Sequence, residues 1–167
     1  MERLQAWRAT HARSAPRVLD LAMGRGRHAL PLARAGWRVF GVDQNLEALL
    51  DATANARREQ ITLSVWCADL TSYPLPRNSF DVVLVARYLQ RDLFPAIGAA
   101  LVRGGVVVYE TFTTHQREFG TGPTSPDHLL RPGELRDAFD GFTILSYEES
   151  NTGEALARLV AQRRVEV

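Results

Sequence analysis

The stretch VLDLAMGRGRHALPLARAGWRVFGVDQN, residues 18–45, runs from an apolar strand into a glycine-rich turn, through a helix, and into a second strand that ends on an acid. Residues 17–21 and 38–42 carry the apolar runs of buried strands. Residues 27–35 between them, closed by Gly36, carry the period of a crossover helix. Strand, tight turn and helix in that order form the repeating unit of a doubly wound α/β sheet, in which the turn borders a ligand crevice.

The alternation continues outward. Strands are expected over 61–66, 80–85 and 106–110, and helices over 46–59 and 93–101. The runs DVVLVA and GGVVVYE are apolar without interruption, as expected where helices cover both faces of a sheet. Residues 133–139 read as a helix. FTILSYEES and EALARLVAQRR then read as two strands joined by the turn Asn151-Thr152-Gly153, an antiparallel hairpin. The expected fold is therefore a doubly wound seven-stranded sheet, mostly parallel, with an antiparallel C-terminal hairpin. Residues 1–14 read as an amphipathic helix with Leu4, Trp7 and His11 on one face, lying against the domain as a lid or brace. The longest irregular segment, residues 113–132, TTHQREFGTGPTSPDHLLRP, contains three prolines and two glycines and reads as a substrate-side loop. One domain thus spans residues 1–167, with a cofactor-binding core at 15–112 and the last helix and hairpin at 133–167.

Composition narrows the chemistry. The 167 residues are 46% hydrophobic and 23% charged with a net charge of +1, ordinary for a globular protein without membrane spans. No apolar signal core opens the chain, so a cytoplasmic protein, monomer or homodimer, is expected. All 20 basic residues are arginine. Without lysine there is neither a Schiff base to pyridoxal phosphate nor a P-loop. The arginines are scattered, which gives no stripe for nucleic acid. Cys67 is the only cysteine and the four histidines show no paired ligand spacing, so no metal site is expected.

Gly24, Gly26 and Ala29 fit the G-x-G-x-x-G/A pattern, with Asp43 about 20 residues beyond, where a dinucleotide fold places its ribose acid. Taken alone this suggests NAD. Asp20 argues otherwise, because it closes the first strand where a pyrophosphate would have to lie, and like charges in one site repel. S-adenosylmethionine offers an ammonium and a sulfonium there instead. Asp43 suits the ribose hydroxyls, and Asp69, in WCADL, suits the adenine amino group, with the Leu70 amide free for a ring nitrogen. Three acids near the ends of three successive strands make one polar row.

VLDLAMGRGRHAL, GVDQN, CADL, FDVVLVARYL and LVRGGVVVYE together resemble the successive motifs of class I S-adenosylmethionine-dependent methyltransferases, most of all the small bacterial tellurite-resistance type. The resemblance covers nearly the whole chain, and that family's inserted seventh strand accounts for the C-terminal hairpin. It implies S-adenosylmethionine as cofactor, S-adenosylhomocysteine as product and a small-molecule methyl acceptor. It also implies cofactor contacts from Asp20, Ala22, Gly24, Gly26, Arg27, His28, Asp43, Gln44, Asp69, Leu70, Ala86 and Arg87. Two positions depart from the family pattern: Ala22 replaces its first glycine, and Met23 stands where a cysteine is frequent. Candidate catalytic residues are Arg87, Tyr88, Glu110 and His115. An NAD-dependent oxidoreductase and a non-catalytic cofactor-binding module are the alternatives.

Overall fold

The computed structural model describes residues 15–165, so the helix expected over 1–14 lies outside the described residues. Along the chain come β1 (Arg17–Leu21), α1 (Ala29–Arg34), β2 (Arg38–Asp43), α2 (Leu46–Arg58), β3 (Ser64–Cys67), β4 (Phe80–Ala86) and α3 (Phe94–Ala100). They are followed by β5 (Leu101–Phe112), α4 (Glu134–Asp137), β6 (Thr143–Ser150) and β7 (Leu156–Gln162). The strands form one sheet in the order β3-β2-β1-β4-β5-β7-β6. β7 runs antiparallel to both β5 and β6, whereas β1 to β5 pair in parallel. Strand order reverses between β1 and β4, which places the crevice at their carboxyl ends.

The continuous apolar runs are used on both faces. Val18 and Val82 pack with Leu32, Leu49 and Ala52 of α1 and α2, whereas Leu19, Leu21, Val83 and Val85 pack with Ile97 of α3 and Phe139. Asp20, 2% exposed, shares the parity of Val18 and so points to the α1 side, a single carboxylate among the buried apolar residues Val18, Leu19 and Leu21. The departure at Met23 is matched by Gly41 on β2: a Cβ there would lie 1.9 Å from the Met23 Sδ, so the glycine makes room for the thioether.

Several boundaries differ from the sequence reading, each for a local reason. The first helix starts at Ala29 because Gly24 and Gly26 adopt φ of +53° and +81°, holding the chain in a turn through His28. The third strand begins only at Ser64, since the Ile61 amide still bonds the Ala56 carbonyl of α2 at 3.0 Å. Leu101 leaves α3 in an extended conformation and pairs with Phe80, so β5 absorbs residues 101–105 across an irregularity in register. The helix expected over 133–139 is a single turn. The hairpin loop runs over 151–155, longer than the expected turn. Its Ala155 amide is taken by the Gln116 side chain at 2.7 Å, and the Ala155 carbonyl accepts from Thr113.

Residues 113–132 are built more firmly than an irregular excursion. They contain 3₁₀ turns over Thr114–Phe119 and Pro126–His128 and a bridge between Thr113 and Leu130, with Leu129 and Leu130 buried. Gln116, 1% exposed, also donates to the Thr121 carbonyl and so ties the segment to itself and to the hairpin.

Candidate functional site

The glycine turn brings Asp20 and Asp43 to the crevice from opposite sides of one loop. Burial, above all, pushes the Asp20 carboxyl up to about 7; the Ala29 amide and the charge of Arg27 pull it down, and the charge of Asp43 raises it further. Asp20 Oδ2 is buried and has no hydrogen-bond partner. A buried carboxylate oxygen without a donor is costly, and an ammonium group is a partner that removes that cost. Asp43 accepts from the Gly24 amide on Oδ2 and from the Asn45 amide on Oδ1, each at 2.8 Å, which pins the glycine turn to the end of β2. Both oxygens retain a lone pair for a further donor.

Asp43 lines a cleft of about 120 Å³ together with Ala22, Gln44, Ala68, Leu70 and Tyr88. Asp69 lies two residues beyond β3. Its Oδ1 accepts from the Thr71 amide at 2.8 Å, a bond that holds the carboxyl below its usual range. Ala22, standing for a glycine, adopts φ +53°, a left-handed conformation that costs a residue with a Cβ about 1 kcal/mol. The cleft has an apolar floor of Ala22, Ala68 and Leu70, with Asp43 and Gln44 as its polar lining, suited to a flat ring with a polar rim.

The structure places the remaining candidates unevenly. Tyr88 belongs to this cleft: burial, then the charges of Asp69 and Asp43, raise its pKa, and its hydroxyl donates to Gln90. Arg87, directly after β4, adopts φ +57°, stacks on Phe112 at 5.1 Å and makes a two-pronged pair with Glu154 at 2.9 and 2.6 Å. Glu110, in register with Ala86, accepts from Arg158 of β7 at 2.7 Å. His28 lies among these charges. Burial and then Arg27 lower its pKa, Glu110 raises it, and its Nε2 is buried without a partner. His115, half-buried in the 3₁₀ turn after β5, shares no hydrogen bond or ion pair with the other candidates. Glu154, Arg158, Gln116 and Ala68 are the residues of this region absent from the sequence reading. Only Ala68 lay within a motif; the others enter through the register of the hairpin and the folding of 113–132.

A sheet in this order, a glycine turn after β1 and acids at the ends of β1, β2 and the β3 loop define the class I S-adenosylmethionine-dependent methyltransferase fold. A family profile described as a methyltransferase domain matches residues 18–105, and the chain belongs to that family. It is 29% identical over 113 residues to a protein of Geobacillus sp. (strain WCH70) named as a methyltransferase, a match covering 62% of this chain and 45% of the relative. The chain spans less than half the length of the curated relatives it matches. Among solved structures, TehB from Haemophilus influenzae superposes with a TM-score of 0.76 at 18% identity, covering 98% of this chain and 62% of the other. An S-adenosylmethionine-dependent methyltransferase from Mesorhizobium loti superposes with a TM-score of 0.74 at 21% identity, covering 98% of each chain. Likeness at these identities concerns the fold.

Proposed function

We propose that this chain transfers the methyl group of S-adenosylmethionine to a small-molecule acceptor. The observation that carries the reading is Asp20: a carboxylate buried at the strand-order switch, with one oxygen unpartnered, is matched to a cationic amino-acid end and opposed to a pyrophosphate. In this reading Asp20 holds the ammonium group, Asp43 accepts from the ribose hydroxyls, Asp69 meets the adenine amino group, and Ala22, Ala68, Leu70 and Tyr88 sandwich the ring. Arg27 and Gln44, both exposed at the rim, complete the polar edge.

When bound, the cofactor supplies a carbon already activated by its positive sulfur, so the protein's task is alignment and exclusion of water. The chain's own residues divide that work. The backbone pinned by Asp43 fixes the turn; Arg87–Glu154 and Glu110–Arg158 fix the ends of β4 and β5 against the hairpin; residues 113–132 wall the acceptor side. Among the described residues the arginines beside that wall are paired, Arg87 with Glu154, Arg91 with Glu134 and Arg158 with Glu110, which favours a small acceptor over a polyanionic macromolecule.

Titration calorimetry with S-adenosylmethionine, S-adenosylhomocysteine and NAD tests the proposal. Binding of both adenosyl ligands without NAD supports it; NAD binding without response to the adenosyl ligands overturns it.

A further inference from the structure

A second cavity, of about 550 Å³, opens between Arg91 and Phe94 at the start of α3 and the residues of α4 and its flanks, and it shares no lining residue with the Asp43 cleft. Its charged lining balances, Arg91 and Arg131 against Glu134 and Asp137, but only part of that charge is spent internally. Arg91 grips Glu134 with two prongs, Nε to Oε1 at 2.5 Å and Nη2 to Oε2 at 3.1 Å, and also donates to the carbonyls of Asp127 and Leu129. The Glu134 side chain is 11% exposed and accepts from the Arg131 amide at 2.8 Å, so this pair is the fixed back of the cavity. Arg131 turns its Nε to the same carboxylate at 3.4 Å, which leaves Nη1 and Nη2 uncommitted among the described residues. Asp137, exposed on α4, meets no cation there in a hydrogen bond or ion pair.

We propose that this cavity binds an α-amino acid as its zwitterion, the carboxylate on Arg131, the ammonium on Asp137 and the side chain against Phe94, Pro132 and Ala138. A guanidinium with two free N–H groups takes a carboxylate in fork geometry, and a carboxylate with free lone pairs takes an ammonium. Arg131 and Asp137 line one cavity yet stand too far apart to pair, so a ligand carrying both charges satisfies both. A plain anion or cation meets one of them as a like charge. The apolar floor is firm: Phe94 is half-buried and packs edge-on against Tyr109 at 5.8 Å and Phe139 at 5.7 Å. The volume falls within the range of small-ligand pockets. Both recognising charges stand at the rim in water, so dissociation is expected at about millimolar concentration. The inference does not rest on the methyl-transfer reading, because the cofactor cleft is built from other residues.

The test is an NMR titration of the full chain with L-leucine, in the presence of saturating S-adenosylhomocysteine so that the cofactor crevice is filled. The amides of Arg91, Phe94 and residues 133–138 should shift saturably. Isocaproate, which lacks the ammonium, and isoamylamine, which lacks the carboxylate, should each bind about two- to fivefold more weakly. Arg131→Gln and Asp137→Asn, both at exposed positions, should weaken L-leucine by about the same factor. Asp137→Arg should reverse the order, so that isocaproate binds better than L-leucine. No saturable shift, shifts at Ala22, Asp43 and Tyr88 instead, half-analogues that bind as well as L-leucine, or an Asp137→Arg variant that keeps the wild-type order each overturns the proposal. A chain that does not bind S-adenosylhomocysteine contradicts the methyl-transfer reading alone, and the L-leucine titration, run without it, is then read from the same amides.

Discussion

The two halves of the crevice handle charge in opposite ways. At the β1 to β3 ends, Asp20, Asp43 and Asp69 are held by backbone amides, with the Thr71 hydroxyl adding to Asp69. Among the described residues none of the three meets a side-chain cation in a hydrogen bond, and Asp20 keeps one oxygen with no partner. At the β4 and β5 ends, each charge meets its opposite: Arg87 with Glu154, Glu110 with Arg158. Amide bonds orient a carboxylate without cancelling its charge, so the first half keeps a negative field for a cationic ligand. Ion pairs between side chains cancel, so the second half is a nearly neutral wall braced by the hairpin.

The comparison can be broken most severely at Asp20. Asp20→Asn should weaken S-adenosylhomocysteine binding by about 3 kcal/mol, roughly a hundredfold, because one member of a buried charge pair is lost. Its effect on the free protein has the opposite sign. The folded pKa of about 7 lies above the ordinary carboxyl value, so the folded state binds more protons between the two, and stability contributed by this group falls as pH rises from about 4 to 7. Thermal melts of the ligand-free variant at pH 8 should therefore match or exceed the wild type. Asp43→Ala follows, at about 2 kcal/mol of cofactor affinity by calorimetry, since a charged acceptor for two hydroxyls is removed; Asp43→Asn should be milder.

In the other half, Glu154→Gln should leave cofactor affinity unchanged and shift folding stability, by denaturant titration, within about 1 kcal/mol, as for other exposed pairs. A cofactor effect as large as that of Asp43 would erase the contrast between the halves. Ala22→Gly should have the smallest effect, a gain of a few tenths of a kcal/mol in the same titration, since relief of the left-handed alanine is partly offset by the freer unfolded chain.

How far each half was legible in the sequence follows the same division. Asp20, Gly24, Gly26 and Asp43 lie in one continuous strand-turn-helix-strand unit, so spacing alone brings them together, and the β7 insertion was readable from the hairpin ending the family shares. The partners of Arg87 and Glu110 were not readable. Glu110 faces Arg158 only because β7 pairs with β5 in one register, and a shift by one residue would put Arg158 on the opposite face. Tyr88, read from the sequence as standing beside the methyl group, lines the Asp43 cleft after the left-handed turn at Arg87, a placement that no local pattern signals. The 113–132 segment has few periodic apolar positions. Its order depends on Gln116 finding the hairpin's Ala155 amide, a contact between segments far apart in the chain.

The central claim, that a buried carboxylate at residue 20 awaits a cation, is tested most directly by proton-linked calorimetry of S-adenosylhomocysteine binding at pH 6.5. Titrations would be run in two buffers of different ionisation enthalpy. A cation that stabilises the ionised Asp20 lowers its pKa from about 7, so binding should release protons at pH 6.5, tighten as pH rises through 7, and release none near pH 8.5. The release should vanish in Asp20→Asn. Binding that is equally tight at both pH values with no proton released, or an Asp20→Asn variant that binds like the wild type, would contradict the account.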